Sequence, residues 1–248
     1  MPFTLVAWNE NFTAAATLDA LTAVGDPHVR VSGDDIWIPE ALPMLAGYKV
    51  LGSTVTQARI ESPTLRTLTP IDVSPIDTAA EPTGANLARL LPSNPKTVGG
   101  GEALNVRCSV SAAGRAIALA WLCDGPLTPI TGEVFTVRAT SATTLVANAW
   151  TNGALTFAQS LPRGRYAVVG MRAISAGLVA ARLVFPGYAW RPGCIGYDAE
   201  NDTEDDVFRG GKMGSWGEFD HDVPPTVDFL SISADTSEVV YLDLIKIA

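Results

Sequence analysis

The residues best suited to chemistry lie in one acidic stretch of the second half of the chain. Six of the nine residues from Asp198 to Asp206 are Asp or Glu, and closely spaced carboxylates can supply the oxygens that Ca²⁺ prefers. The stretch lacks the glycine and the closing glutamate of an EF-hand loop. A solvated acidic loop is therefore the favoured interpretation, and calcium at residues 198–206 is the alternative. We take Asp202, Asp205 and Asp206 as candidate contacts for a ligand or an interface.

Two histidines are the other candidates for acid–base chemistry. His221 lies in the segment Phe219–Asp222 beside Glu218, where carboxylates could orient its imidazole as a general base. The nearby segment Gly214–Gly217 lacks the G-x-S-x-G spacing of a serine nucleophile elbow. We expect His28 and His221 to lie in surface loops.

Carboxylates of a glycoside hydrolase meet only in space, so the sequence leaves that chemistry open. The available carboxylates include Glu133, Glu218, Asp228 and Asp243. No pair is preferred, and an acid inside a strand-like run, such as Asp228 or Asp243, more often faces outward. We expect no cofactor and no enzyme activity.

Tryptophans offer a different kind of site, because sugar rings stack on exposed aromatic side chains. Trp121 lies inside the apolar run Ala116–Cys123 and is expected in the core. Trp190 and Trp216 lie in Gly- and Pro-rich loops. We expect these two to face a ligand or a neighbouring subunit.

The cysteines Cys108, Cys123 and Cys194 show no C-x-x-C spacing. We expect buried, reduced thiols, with a Cys108–Cys123 disulfide as the alternative. A zinc site is disfavoured, because neither histidine has a cysteine at ligand spacing.

Charge excludes several classes of protein. The chain has 248 residues, a formal net charge of −9 and only four lysines, with no basic cluster. Direct nucleic-acid binding and docking on an anionic membrane are therefore not expected. The first basic residue is Arg30, and the longest apolar run is far shorter than the ~20 residues of a membrane span, so we expect a soluble, unprocessed chain without membrane insertion.

Short runs rich in Val, Ile and Thr, separated by Gly- and Pro-containing turns, predict an all-β chain. The predicted strands are Thr4–Trp8, Asp35–Ile38, Tyr48–Ile60 with a bend at Gly52, Ala103–Val110, Arg115–Cys123, Glu133–Thr140, Thr144–Trp150, Ala154–Gln159, Gly164–Ile174, Leu178–Phe185, Thr226–Ala234 and Glu238–Ile247. Asn152-Gly153 predicts a hairpin turn. Two short helices are predicted, over Asn11–Val24 and Ala85–Leu91.

Two Gly- and Pro-rich stretches organise the chain into two β units. Residues 62–101 read as a connector or a long inter-strand loop, and residues 191–225 as a long loop of the second unit. We therefore predict a first unit over 1–101 and a second over 102–248.

This layout resembles the jelly-roll major capsid proteins of tailless icosahedral viruses, and the double jelly-roll proteins above all. Leu161–Met171 and Ala180–Gly187 would be long core strands of a second barrel, with the Pro-rich stretch 62–101 as connector or inter-strand loop. The resemblance implies an antiparallel jelly-roll sandwich, with two stacked jelly rolls in one chain or, alternatively, a single elaborated one. It further implies a homotrimer within a larger shell, contact with other virion proteins, assembly in the host cytoplasm and location in the virion.

Three functional hypotheses follow. The first is a structural capsid subunit that self-assembles into an icosahedral shell. The second is a carbohydrate- or ligand-binding β-sandwich that uses Trp190, Trp216 and the acidic loop. The third, a β-fold glycoside hydrolase or lyase, rests only on the available carboxylates.

Overall fold

Apolar runs form strands throughout the N-terminal half of the chain. The computed structural model describes residues 3–68, 70–74, 76–78, 89–202 and 206–248. The elements before residue 127 are β1 (Phe3–Phe12), β2 (Ala16–Ala20), β3 (Thr22–Ala23), β4 (Val31–Ser32), β5 (Asp35–Trp37), β6 (Met44–Leu51), β7 (Val55–Glu61), α1 (Pro63–Leu68), β8 (Ile71–Asp72), β9 (Arg89–Leu90), β10 (Lys96–Thr97), β11 (Ala103–Val110) and β12 (Gly114–Cys123).

These strands form two antiparallel sheets. Within the described ranges, one six-stranded sheet runs in the order β10-β6-β12-β1-β3 with β9 paired to β6, and the other runs β4-β5-β11-β7-β8 with β2 paired to β11. β12 lies between β1 and β6, which explains why its sequence is an almost continuous apolar run. Large and small side chains alternate across this pairing, as in Trp8 opposite Ala118, and Trp8 and Trp121 are fully buried.

The elements after residue 126 build a second set of strands. They are β13 (Phe135–Ser141), β14 (Trp150–Gly153), β15 (Thr156–Phe157), β16 (Arg165–Ile174), β17 (Leu178–Val184), β18 (Gly193–Tyr197), a 3-10 helix (Asp206–Phe208), β19 (Gly217–Asp220), β20 (Thr226–Ser231) and β21 (Glu238–Lys246). In the described part of the chain they form a nine-stranded sheet in the order β14-β20-β17-β18-β16-β21-β13-β15, with β19 paired to β16. β18 pairs antiparallel with β17 and parallel with β16.

The prediction of an all-β, antiparallel sandwich is confirmed as a fold class. Most predicted strands are present with shifted ends, and Gly52, at φ 157°, makes the predicted bend between β6 and β7. A side chain at Gly52 would place its Cβ 2.5 Å from the carbonyl oxygen of Arg115, so the close approach of the two strands requires glycine.

The predicted helix over Asn11–Val24 is wrong. The segment continues β1 and then forms β2 and β3, which pair with β11 and β1. Leu18 adopts a positive φ of 47°, which no right-handed helix accommodates. The hydrogen bonds of two sheets therefore override the helix propensity of the alanines. Of the second predicted helix, residues 85–88 lie outside the described residues, and Arg89–Leu90 form β9.

The predicted hairpin at Asn152-Gly153 is also wrong, because both residues lie inside β14. β14 pairs with β20, and the Asn152 side chain donates to Thr226 and Asp228 on that strand. The turn falls earlier, where Asn148 takes a positive φ of 63°.

The boundary between the two units differs from the predicted position near residue 101. The described chain divides into an N-terminal unit that ends at Pro126 and a C-terminal unit that begins at Leu127. The reason is strand pairing: β11 and β12 complete the two N-terminal sheets. In the stretch 62–101, the backbone of Asp77 exchanges hydrogen bonds with Val50 and Gly52, and β8, β9 and β10 pair with β7 and β6, so the described part of this stretch belongs to the N-terminal unit.

Candidate functional site

The acidic loop is organised around an arginine. The carboxylate of the partly exposed Asp202 accepts hydrogen bonds from the backbone N–H groups of Asp198 and Ala199, both at 3.0 Å. The guanidinium of Arg172 donates to the carbonyl oxygens of Glu200 and Asp202, also at 3.0 Å. The Arg172 guanidinium therefore already binds two carbonyl oxygens of the kind that a calcium ion would require as ligands.

The structure does not describe the side chains of the other two acidic candidates. Asp205 lies outside the described residues, as does the side chain of Asp206. Within the ranges that the structure describes, no group of three or more His, Cys, Asp or Glu side chains is arranged to hold a metal ion. Calcium at residues 198–206 stays a prediction.

The two loop tryptophans differ in their surroundings. Trp216 is only 6% exposed, and its backbone N–H donates to the carbonyl oxygen of Val168 at 2.8 Å. It directly precedes β19, and the pairing of β19 with β16 carries its ring into the C-terminal unit. Trp190 is partly exposed in the loop between β17 and β18. The burial of Trp216 therefore contradicts the surface position expected for it, whereas the contact expected for Trp190 stays a prediction.

Asp243, a candidate catalytic carboxylate on β21, is 3% exposed. It binds Arg209 and Gly210 in the loop between β18 and β19. Its two oxygens accept hydrogen bonds from Nε and Nη2 of Arg209, both at 2.8 Å, from Oγ1 of Thr136 at 2.7 Å and from the N–H of Gly210 at 2.8 Å. Burial alone would raise the pKa of Asp243, but these hydrogen bonds and the guanidinium charge outweigh it and leave the pKa below its usual value. Gly170 on β16 makes room, since a Cβ there would lie 2.8 Å from the Asp243 carboxylate.

Asp228 is engaged in the same way on β20. Its carboxylate lies 3.0 Å from Nε of Arg182, whose side chain is fully buried, and accepts a hydrogen bond of 2.8 Å from Asn152. The Arg182 guanidinium also stacks 4.0 Å from the ring centroid of Trp150. The outward-facing position expected for Asp228 and Asp243 is therefore wrong: both are buried acids that join neighbouring strands.

The remaining candidate groups lie at the surface. Glu133 is exposed, and Glu218 forms a half-exposed ion pair of 2.9 Å with Arg165. His28 is exposed in a loop, as predicted, and His221 is partly exposed with its Nδ1 3.8 Å from Asp222. No nucleophile, base and orienting group converge among these described residues.

An exposed apolar face of the C-terminal unit is the site that sequence reasoning missed. Tyr188, in the loop between β17 and β18, is 46% exposed, and Val223, just after β19, is 51% exposed. Together with Pro186 they line a cleft of about 280 Å³. We define the Tyr188 face by its lining residues Arg165, Pro186, Tyr188, Glu218, Phe219, Asp220 and Val223.

The loop that carries Tyr188 is held by several internal contacts. The Tyr188 N–H donates to the carbonyl oxygen of Phe185 at 3.1 Å, and Gly187 takes the positive φ of 80° that this turn requires. The ring of Tyr188 meets that of Phe185 edge to face at 5.9 Å. Nη1 of the buried Arg191 donates to the Tyr188 carbonyl oxygen at 2.7 Å. The Tyr188 side chain is therefore presented from a preorganised loop.

A second cleft adjoins the Tyr188 face and shares Arg165 and Asp220 with it. We call it the Arg163 cleft; it has a volume of about 460 Å³ and is lined by Arg163, Gly164, Arg165, Asp220, His221, Asp222 and Ala248. The Pro186-Gly187 turn was a visible sequence signal for a surface loop. The sequence did not indicate that this loop lies near Val223 or the start of β16, because the three segments come together only through the pairing of β16 with β19.

The three thiols are free and buried, so the predicted reduced cysteines are confirmed. Burial raises the pKa of Cys108 to about 12 and that of Cys123 to about 11. Thiols with such pKa values are poor nucleophiles at neutral pH.

Glu238 is a buried acid that the sequence did not single out. Its side chain is fully buried on β21, and neither carboxyl oxygen meets hydrogen-bond geometry with a described group. Desolvation by burial raises the pKa of Glu238, which outweighs the favourable effect of the nearby Ser141 and Thr143, and the charge of Asp235 adds to the rise.

Within its described residues the chain has no helix long and apolar enough to cross a membrane. No protein-family model and no curated protein matches the sequence. A comparison of structures found similarity to the crystal structure of the major capsid protein P2 from bacteriophage PM2, with 12% identity over 99% of this chain and 98% of that chain and a TM-score of 0.24. Similarity at this level does not place the chain in a family.

Proposed function

We propose that the chain is a structural subunit of an icosahedral viral shell, built on the jelly-roll plan that its sequence resembles. The observation that carries the proposal is the distribution of exposed apolar side chains. Among the described residues, the large exposed apolar side chains all lie in the C-terminal unit: Val134, Val146, Tyr188, Val223 and Ile247. Two of them, Tyr188 and Val223, line one cleft, and exposed apolar side chains that lie together suit contact with another protein.

The state of the buried charges supports the same proposal. The interior carboxylates that could serve catalysis, Asp228 and Asp243, are each paired with an arginine, and Lys49 pairs with Asp77 at 2.9 Å in the N-terminal unit. Removing either partner would leave a buried charge, so these pairs resist rearrangement. These ion pairs therefore have a structural role in the fold.

Composition adds a further argument. The chain has four lysines among its 17 basic residues, and lysine is the residue depleted at interface cores, where arginine and aromatic residues are enriched. Fewer lysines also reduce the side-chain entropy lost when a surface is ordered against a neighbour. We propose homotrimers within the shell, contacts with other virion proteins, assembly in the host cytoplasm and location in the virion.

Light scattering coupled to size-exclusion chromatography tests the proposal. The purified chain is expected to form trimers or larger assemblies that grow with concentration, and negative-stain electron microscopy is expected to show lattice fragments or shells. A strictly monomeric species at every concentration would contradict the proposed function.

A carbohydrate- or ligand-binding module is the second candidate, favoured by the exposed ring of Tyr188 beside the partly exposed Trp190. Glycan-array binding that is lost in Tyr188→Ala and Trp190→Ala, with no assembly of the wild-type chain, would favour this function. Trp216→Ala is unsuitable for that test, because the buried Trp216 ring contributes to folding.

A further inference from the structure

We propose that the Tyr188 face and the adjoining Arg163 cleft together form a docking surface for a second copy of this chain. The inference rests on the proposed function and deepens it, since it names the surface through which subunits of neighbouring trimers meet. The apolar centre comes from Tyr188 and Val223, which are 46% and 51% exposed and line one cleft. Removing such apolar side chains from water favours association.

The charges around this centre identify the partner. Arg163 and Asp220 are both exposed and line the same cleft, and neither side chain has an ion pair or hydrogen bond with another described residue. Arg165, by contrast, is already paired with Glu218 at 2.9 Å. The surface therefore offers an uncommitted cation, Arg163, and an uncommitted anion, Asp220, with the exposed Asp222 as a further anion whose printed neighbour is Nδ1 of His221 at 3.8 Å.

A surface with both signs of charge is self-complementary. When two copies meet about a two-fold axis, the same patch is used on both sides, so Arg163 of one copy can face Asp220 of the other, and the reverse. A purely acidic partner would be repelled by Glu218, Asp220 and Asp222, and a purely basic partner would be repelled by the arginines. A second copy satisfies both signs at once.

The backbone fixes the spacing of the two charges. The N–H of His221 donates to the carbonyl oxygen of Gly164 at 3.0 Å, and Arg165 lies opposite Asp220 in the β16–β19 pairing. Asp220 therefore ends β19, and Arg163 lies two residues before β16 begins. Little backbone freedom therefore remains to be lost on docking.

A charge-swap experiment tests the pairing. Arg163→Glu and Asp220→Arg are prepared separately, and self-association of each is measured by analytical ultracentrifugation, with circular dichroism to verify the fold. Each variant alone places like charges against each other and is expected to weaken association at least about tenfold. An equimolar mixture of the two variants restores both pairs, so its association constant is expected to return to within about threefold of the wild-type value. A threefold change corresponds to about half of the free energy of a tenfold change.

Val146→Ser is the matched control for Val223→Ser, because Val146 is 57% exposed and does not line either cleft. Val223→Ser is expected to weaken association, and Val146→Ser to leave it unchanged. A monomeric wild type would overturn the proposed function and this inference together. Assembly beyond the trimer that persists in both charge variants, or a mixture that fails to restore it, would overturn the inference alone.

Discussion

Replacing Asp243 by Asn tests whether this buried acid is a structural fastener. The substitution keeps the shape of the side chain but removes the charge that receives Arg209, Thr136 and the N–H of Gly210 at 2.7–2.8 Å. An amide cannot accept at both positions, so one donor loses its acceptor and the guanidinium loses its counter-charge.

The magnitude follows from burial. The side chain of Asp243 is 4% exposed and that of Arg209 is 20% exposed. Breaking a fully buried pair by removing one partner costs about 3–5 kcal/mol, and the partial hydration of Arg209 places this case at the lower end, about 3 kcal/mol. For a domain of this size the unfolding temperature is expected to fall by roughly 10 °C.

Differential scanning calorimetry and guanidinium denaturation measure the loss. Limited proteolysis provides a second readout, because Asp243 anchors Arg209 and Gly210, and the variant is expected to be cut faster within residues 191–225. Glu200→Gln is the control, since it removes a carboxylate from an exposed pair with Arg138. If Asp243→Asn destabilises the protein no more than Glu200→Gln, the assignment of Asp243 as a fastener is wrong.

The pH dependence supplies an independent test of the same assignment. The folded-state pKa of Asp243 is below the ordinary 3.8, so its stabilisation is present above that value and is lost as the pH falls through the folded pKa. The stability difference between wild type and Asp243→Asn is therefore expected at neutral pH and should shrink on acidification below pH 3.8. A difference that stays constant to the lowest measurable pH would refute the electrostatic explanation.

Other parts of the fold allow further predictions. Asp77→Asn leaves the Lys49 ammonium buried without its counter-charge and is expected to cost about 3–5 kcal/mol in chemical denaturation, whereas Lys49→Met combined with Asp77→Leu should recover most of that loss; equal losses in both variants would contradict this. The folded pKa of Glu238 is raised above 4.5, so the stability contribution of Glu238 is present below that value and is lost as pH rises through the folded pKa. The variant Glu238→Gln should therefore gain stability relative to wild type as pH rises. A stability difference that does not depend on pH would count against a neutral buried acid. Gly170→Ala places a Cβ 2.7 Å from the Phe208 carbonyl oxygen and should lower the unfolding free energy by about 1–3 kcal/mol in chemical denaturation; an unchanged free energy would contradict close packing at this position. Cys108, with a pKa of about 12, should react with a thiol reagent only as fast as the protein unfolds, and rapid labelling of the native chain would show that it is accessible.

The strand content of this chain was predictable from local sequence. The run from Gly114 to Cys123 is apolar at nearly every position, which is the pattern of a central strand buried on both sides. Gly52 marked a bend because a glycine interrupts the strand-like run Tyr48–Ile60. These features depend on residue type and near neighbours, so the sequence carries them directly.

The pairing of strands that are distant in the sequence was not predictable in this way. The alanines of residues 14–20 favour a helix in isolation, yet this segment pairs with β11, about 90 residues later. Asn152-Gly153 has the composition of a turn, but Asn152 binds Asp228 on β20. In both cases a long-range ladder of hydrogen bonds outweighs a local preference that is worth about 1 kcal/mol or less for each residue.

The same division applies to the candidate site. The sequence by itself determined the acidic charge, the scarcity of lysine, the all-β class and the loops that carry Tyr188 and Trp190. Only the tertiary structure decided that Trp216 is buried, that Asp243 receives Arg209, and that Tyr188 and Val223 share one face. The physical reason is that burial and ion pairing depend on which strands become neighbours, and that choice is made by the packing of the whole unit.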